Sequence, residues 1–167
     1  ELIKNNNYEW VCRWSGGSNA GHTIYYNDQK YHTHIVPSGI FYNKKCFIGP
    51  QCYVNLKDLD SEMEYLFNYG FDINLIKISP YCHVITNQHK EDDLNKYKNQ
   101  QGSTGKGIAP CSKDKYGRIG LRIKDLLKDN KLSNLYFKDL KFLNKNEHIL
   151  KINNLNNLLS GDILCEG

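Results

Sequence analysis

Residues 16–23 read GGSNAGHT. Three glycines, a serine and an alanine surround Asn19 and His22, and strand-like segments lie on either side. Small residues of this kind bring backbone close to something else. A core histidine has bulky neighbours, and His22 has none. Its ring is free to point at a ligand, where a group titrating near neutrality can protonate a leaving group or bind a phosphate oxygen. Asn19 adds both a donor and an acceptor. The plain alternative is a tight turn that contains a histidine by chance.

Around this loop the pattern is that of an α/β chain. EWVCRW at 9–14 reads as a buried strand. TIYYN (23–27) and KYHTHIV (30–36) flank Asn27-Asp28-Gln29 as a hairpin, and Pro37-Ser38-Gly39 breaks its second strand. CFIG (46–49), LIKIS (75–79), HVIT (83–86) and DILC (162–165) are further strands. Leu56, Leu59, Met63 and Leu66 recur at steps of three and four, which predicts a helix over 55–69, with Gly70 as its C′ residue. Residues 121–128 predict a short helix. Leu132, Leu135, Tyr136, Leu140 and Leu143 predict another, and Ile152, Leu155, Leu158 and Leu159 a last one ended by Gly161. The polar run 87–101 reads as a solvated helix or a mobile segment. Strands alternating with helices predict a central, mostly parallel sheet with flanking helices and a hairpin.

The chain has 167 residues, 40% hydrophobic and 24% charged, as in an ordinary globular domain. The net charge of +4 is mild, and no dense Lys/Arg block appears. That suits an anionic small molecule and speaks against a nucleic-acid surface, where basic residues interleave with aromatics. The six cysteines form no CxxC, and none has zinc-ligand spacing with a histidine. They read as buried, reduced thiols of a cytosolic protein. No apolar run is long enough to span a bilayer, and no signal peptide is read, so a cytoplasmic protein without a membrane partner is expected.

A second glycine loop, QGSTGKGIAP, occupies 101–110. Its backbone N–H groups could form an anion nest, with Ser103, Thr104 and Lys106 adding donors. It lacks the GxxxxGK[ST] spacing of a phosphate-binding Walker loop, and a flexible linker is the alternative. Arg118 and Arg122 follow, with Lys113, Lys115 and Lys124. A guanidinium is the usual fork for phosphate, whereas the lysines read as a solvated face. His32 and His34 share one strand face, but no third metal ligand is evident nearby. His83, His89 and His148 carry no spacing signal. Two glycine loops and an arginine together suggest a phosphate-bearing ligand without naming a reaction.

RWSGGSNAGHT, HIVPSGI (34–40), FIG (47–49), GSTGKGIAP (102–110) and RIGLRIKDL (118–126) occur in an order and spacing that resemble adenylosuccinate synthetase. That family's pattern is close to GGxNAGHT, HxxPSGI, IGNG, GTTGRGIGP and RxGxRxxDL. The match runs from about Trp10 to Leu127, and GDILCEG resembles the strand leading into the family's EGAQG motif. The resemblance implies a P-loop-NTPase-like synthetase fold. It also implies GTP- and Mg²⁺-dependent joining of IMP and L-aspartate through 6-phosphoryl-IMP. By the same resemblance His22 is the general acid and Gly21 offers its carbonyl to Mg²⁺. Gly21, His22 and Thr23 lie along GTP. Asn19, Ala20, Gly21 and His22 border IMP, and Thr104 holds the IMP phosphate. Arg118 reaches the IMP phosphate of a neighbouring subunit, which makes a homodimer part of the site.

The departures from the family pattern are specific. IGNG is IGPQ at 48–51, Lys106 replaces an arginine, and Ser103 replaces a threonine. The family's GDEGKGK loop is expected just before Glu1, and its second half after Gly167. The chain is therefore expected to be a single partial domain, 1–167, unable to catalyse alone. The 127–161 stretch is shorter than in the common bacterial form. A phage-type relative that acts on dGMP and a non-catalytic nucleotide-binding remnant are the alternatives.

Overall fold

The computed structural model describes residues 2–97, 102–151 and 162–166. Four parallel strands form the central path in the order β5-β4-β1-β7: β1 (Trp10–Gly16), β4 (Lys45–Val54), β5 (Ile76–Ile78) and β7 (Ile163–Glu166). β6 (His83–Val84) extends the sheet along the far half of β4, also in parallel. From β1 the chain moves out to β4 and β5 on one side, and β7 lies on the other. The carboxyl end of β1 is thus a switch point, the place where open parallel sheets hold ligands. GGSNAGHT begins at that end.

The expected hairpin is present as β2 (His22–Tyr26) and β3 (Gln29–Thr33), an antiparallel pair. Its two turn residues, Asn27 (φ 48°) and Asp28 (φ 62°), are both left-handed, as a two-residue turn matching strand twist requires. β3 is shorter than expected and stops at Thr33, so His34 lies outside it. β4 is longer than CFIG. It runs through Pro50 where the β1–β4 register shifts between Arg13 and Ser15, a bulge that accommodates a residue without an N–H.

α1 (Leu2–Asn5) precedes the sheet, and α2 (Leu56–Asn68) covers it. Leu56, Leu59, Met63 and Leu66 are all buried, as their spacing predicted, and Asn55 caps the start by accepting from the Asp58 N–H at 3.1 Å. The C′ residue Gly70 has φ +85°. The polar run begins as α3 (Asn87–Asp92), capped by Thr86, and continues as a π turn over Asp93–Tyr97.

α4 (Ile108–Tyr116) follows the second glycine loop and was not marked by any apolar period. α5 (Ile123–Lys128) matches the short helix. α6 (Asn130–Phe137) is shorter than its leucine pattern suggested. Leu140 and Leu143 lie beyond it, because the Asp60 carboxylate takes the N–H groups of Lys141, Phe142 and Leu143 at 3.2, 2.8 and 2.7 Å. A short α7 (Lys145–His148) completes the described helices. The expected helix around 152–159 lies outside the described residues, as do 98–101.

Cys12, Cys46, Cys52, Cys82 and Cys111 are buried and free, and burial pushes the Cys12 and Cys111 thiols up to about 12. Cys165 departs from the expectation: it sits on edge strand β7 and is exposed. Among the described residues no helix is long and apolar enough to cross a membrane.

His83 is buried at the start of β6, tilted against the Tyr53 ring at 5.8 Å, and its Nδ1 has no partner among the described residues. Burial lowers its pKa to about 4, and the charges of Arg122 and Lys115 push the same way. The unfolded chain binds this proton near its ordinary value of 6.5, so acid favours unfolding. This contribution to stability is full above pH 6.5 and is lost as pH falls toward 4. Urea midpoints of the complete protein should rise between pH 4 and 6.5, and His83→Gln should flatten that rise. Parallel curves for the two proteins would remove His83 from the acid sensitivity.

Candidate functional site

β1 carries Arg13 almost completely buried, 2% exposed, at the point where the first glycine loop leaves the sheet. Its Nη2 donates to the Gly17 carbonyl at 3.0 Å, and its Nη1 to the His34 carbonyl at 2.6 Å. The same Nη1 lies 2.9 Å from His22 Nε2. The Glu62 carboxylate, on α2, takes the N–H groups of His34, Ile35 and Val36 at 2.9, 3.2 and 3.0 Å. The HIVPSGI stretch is therefore gripped at one residue from both sides, by Glu62 through the His34 amide and by Arg13 through its carbonyl.

Gly17 has to be glycine. A Cβ there would lie 2.9 Å from the Tyr53 carbonyl, which is backbone and cannot yield. His22 opens β2 half-buried, while Asn19, Ala20, Gly21 and Thr23 are exposed. The Thr23 hydroxyl meets His32 Nδ1 at 3.2 Å. The His34 ring lies against Gly21, in ordinary contact with where a Cβ would stand.

The second loop is built on a buried carboxylate. Asp93, 1% exposed and first in the π turn, accepts from the Gly107 N–H at 2.7 Å and from the Ser103 hydroxyl at 2.5 Å. Ser103 Oγ in turn accepts from the Gly105 N–H at 3.3 Å. Gly107, at φ +80°, is also pressed close to the α3 backbone. The expected nest is thus partly self-satisfied: the amides of Gly105 and Gly107 and the Ser103 hydroxyl already have partners. Thr104 and Lys106 remain exposed on the loop.

The two loops face one cleft of about 350 Å³, floored by Ile35, Val54 and Leu59. Ser18 from the first loop and Lys106 from the second line it, together with His32, His34, Glu62 and Tyr65. His22 adjoins this cleft through Arg13 and His34 without lining it. Arg118 lies apart, exposed and left-handed (φ 60°) after α4. Its neighbours Tyr116 and Ile119 are 78% and 77% exposed.

Three other basic residues pack on aromatic rings. Lys115 bonds Gln51 at 2.5 Å and lies over Tyr53, and Arg122 and Lys124 lie over Tyr81. His89 Nε2 meets the Asp114 carboxylate at 2.9 Å. Among the described residues, no three His, Cys, Asp or Glu side chains stand close enough to share an ion.

Sequence reading missed Arg13, Glu62 and Asp93. An arginine inside an otherwise apolar strand, directly before a glycine loop, was the available signal for the first. The two acids had none, since they read as solvated surface.

The sequence profile of adenylosuccinate synthetase matches residues 2–160. The chain belongs to this family. It is 44% identical over 124 residues to the adenylosuccinate synthetase of Brevibacillus brevis, covering 71% of this chain and 29% of that protein. The Geobacillus kaustophilus enzyme is 46% identical over 126 residues, covering 72% and 29%. The chain thus spans under a third of the length of the curated relatives it matches.

Among solved structures, the fully ligated adenylosuccinate synthetase of Plasmodium falciparum superposes with a TM-score of 0.69 at 25% identity, over 99% of this chain and 46% of that one. The succinoaminodeoxyadenylate synthetase of cyanophage S-2L, bound to dGMP and dATP, gives 0.68 at 16% identity over 98% and 44%, a likeness of fold alone. The family fold accounts for placing both glycine loops at the carboxyl edge of the sheet.

Asp93→Asn puts an amide donor where two donors now converge. The change should lower the stability of the complete protein by about 1–3 kcal/mol and speed hydrogen exchange at the Gly107 amide at least about tenfold. Unchanged exchange there would show that the carboxylate does not hold the loop.

Proposed function

We propose that this chain, as an internal portion of a cytoplasmic adenylosuccinate synthetase, supplies the histidine and IMP-phosphate sides of a site that ligates IMP and L-aspartate at the expense of GTP. The observation that carries this reading is that both glycine loops face one cleft, with His22 held beside it.

In this reading O6 of IMP attacks the γ-phosphorus of GTP as N1 gives up its proton to an aspartate base of the complete enzyme. The new O6–P bond forms as the bond to the GDP oxygen breaks, and His22 acts as general acid toward the phosphates. The amine of L-aspartate then attacks C6 of 6-phosphoryl-IMP, and inorganic phosphate leaves with the O6 oxygen. Asn19, Ala20, Gly21 and His22 border IMP, while Gly21, His22 and Thr23 follow GTP. Asn19, Ala20, Gly21 and Thr23 are exposed and His22 is half-buried, which suits that role.

Thr104, exposed on a loop held from beneath by Asp93, takes the IMP phosphate. Mg²⁺ takes few protein ligands and keeps phosphate and water oxygens, so the carbonyl of the exposed residue Gly21 would be a fitting single contact. When bound, the ion neutralises charge on the transferring phosphoryl group.

Arg118 does not face its own cleft. Standing exposed between Tyr116 and Ile119, it fits the reading in which it serves the IMP phosphate of the second subunit of a homodimer. The dGMP reading rests on likeness of fold alone, and a non-catalytic remnant leaves the buried Arg13 contact that holds His22 beside the cleft without a purpose.

In the complete protein, His22→Ala should lower kcat by about 10²- to 10⁴-fold, the loss expected for a general acid. Near-normal turnover would remove His22 from the chemistry. Arg118→Leu should raise the KM for IMP by about 10- to 100-fold, the worth of a charge-assisted phosphate contact, with the dimer intact by sedimentation. An unchanged KM for IMP would overturn the shared site.

A further inference from the structure

We propose that Arg13 is the positioning residue of His22 and that it fixes the tautomer of the ring. Nε2 is then the accepting nitrogen, and Nδ1 carries the N–H that His22 can direct at a phosphate oxygen. The proposal rests on the assignment of His22 as general acid and deepens it to a single atom.

A guanidinium has five N–H donors and no acceptor. The 2.9 Å contact between Arg13 Nη1 and His22 Nε2 is a hydrogen bond only if Nε2 holds a lone pair, and in the neutral ring that places the hydrogen on Nδ1. Rings of this kind are oriented by whatever the second nitrogen bonds, and a partner held rigidly fixes both tautomer and angle.

Arg13 is held in that way. It lies 2% exposed in the central strand, with Nη2 on the Gly17 carbonyl and Nη1 also on the His34 carbonyl. His34 is itself anchored through its amide to Glu62. The path Glu62–His34–Arg13–His22 therefore ties the ring to α2 and β1.

A purely structural role explains the arrangement less well. Among the described residues no ion pair involves Arg13, so its charge is buried against neutral acceptors, and its Nε has no partner at all. Burying an unpaired cation is unfavourable. An apolar side chain in β1 would avoid that cost, but it would leave His22 free to rotate and to exchange tautomers.

The tautomer is read directly by two-bond ¹H–¹⁵N correlation of the complete protein labelled at histidine, at pH 8.5, with His22 assigned by its loss in His22→Ala. The expected result is a lone-pair nitrogen at Nε2 and a protonated nitrogen at Nδ1. Arg13→Met should scramble this pattern and lower kcat about 10- to 100-fold, the usual effect of removing a partner that orients a functional histidine, with the KM for IMP within threefold. Arg13→Lys keeps one donor and should restore the tautomer and most of kcat.

A protonated Nε2 in the wild-type spectrum overturns the proposal, as does an unchanged tautomer and kcat in Arg13→Met. If Arg13→Met does not fold, the wild-type spectrum and Arg13→Lys decide alone. Full turnover in His22→Ala would overturn the general-acid role without touching the tautomer assignment, which the wild-type spectrum reads by itself.

Discussion

Backbone N–H groups that leave a sheet must find acceptors, and around this site they find carboxylates. Glu62 takes three consecutive amides of the HIVPSGI stretch, Asp60 takes three of the segment after α6, and Asp93 takes Gly107 together with the Ser103 hydroxyl. Glu166, at the end of β7, takes the Ser38 amide at 2.7 Å and its hydroxyl. Each is a charge-assisted contact, stronger than a neutral one. Together they satisfy irregular backbone that has no helix or strand to do so. The loops that form the cleft are shaped from behind, which leaves their outer faces open to a ligand.

α2 shows how one element serves both layers. Its apolar face, Leu56, Leu59, Met63 and Leu66, is fully within the core, and burying such side chains contributes about 1.5–3 kcal/mol each. Asp58, Asp60 and Glu62 alternate along the same helix and each holds a different partner: the Lys90 ammonium at 2.8 Å, the 141–143 backbone and the 34–36 backbone. Packing fixes the helix and the helix fixes the carboxylates. Through Glu62 and His34 it also fixes the guanidinium beside His22.

This division explains what could be read in the sequence. Apolar periodicity is a local signal, so β1, the β2–β3 hairpin and α2 were legible, and the two glycine loops stood out by composition. The parallel sheet followed from alternation of strands and helices. What escaped were long-range contacts of polar residues. Asp93 sits in a run so polar that it read as solvent-exposed, yet it is among the most buried acids described. Leu140 and Leu143 continue the leucine spacing of α6 by coincidence of period, because Asp60 draws the backbone away from the helix. The pairing of Arg13 with His22 spans nine residues and a turn, and no periodicity encodes it. The candidate site residues were proposed from the resemblance and the glycine loops, whereas the residues that hold those loops required coordinates.

The departures from the family pattern also have physical readings. Pro50 in IGPQ lies where the β1–β4 ladder is already interrupted, so its missing N–H removes nothing from the pairing. Gln51 accepts from Lys115 and so ties β4 to α4, the helix that leads to Arg118. Lys106 keeps the positive charge of the family's arginine at the wall of the cleft but gives up the flat fork that binds two oxygens at once. A point charge on a flexible stem tolerates more positions of a phosphate than a guanidinium does, and orients it less. Under the proposed function the work of orientation therefore falls more heavily on the backbone of the two glycine loops, which Arg13 holds at Gly17 and Asp93 at Gly107.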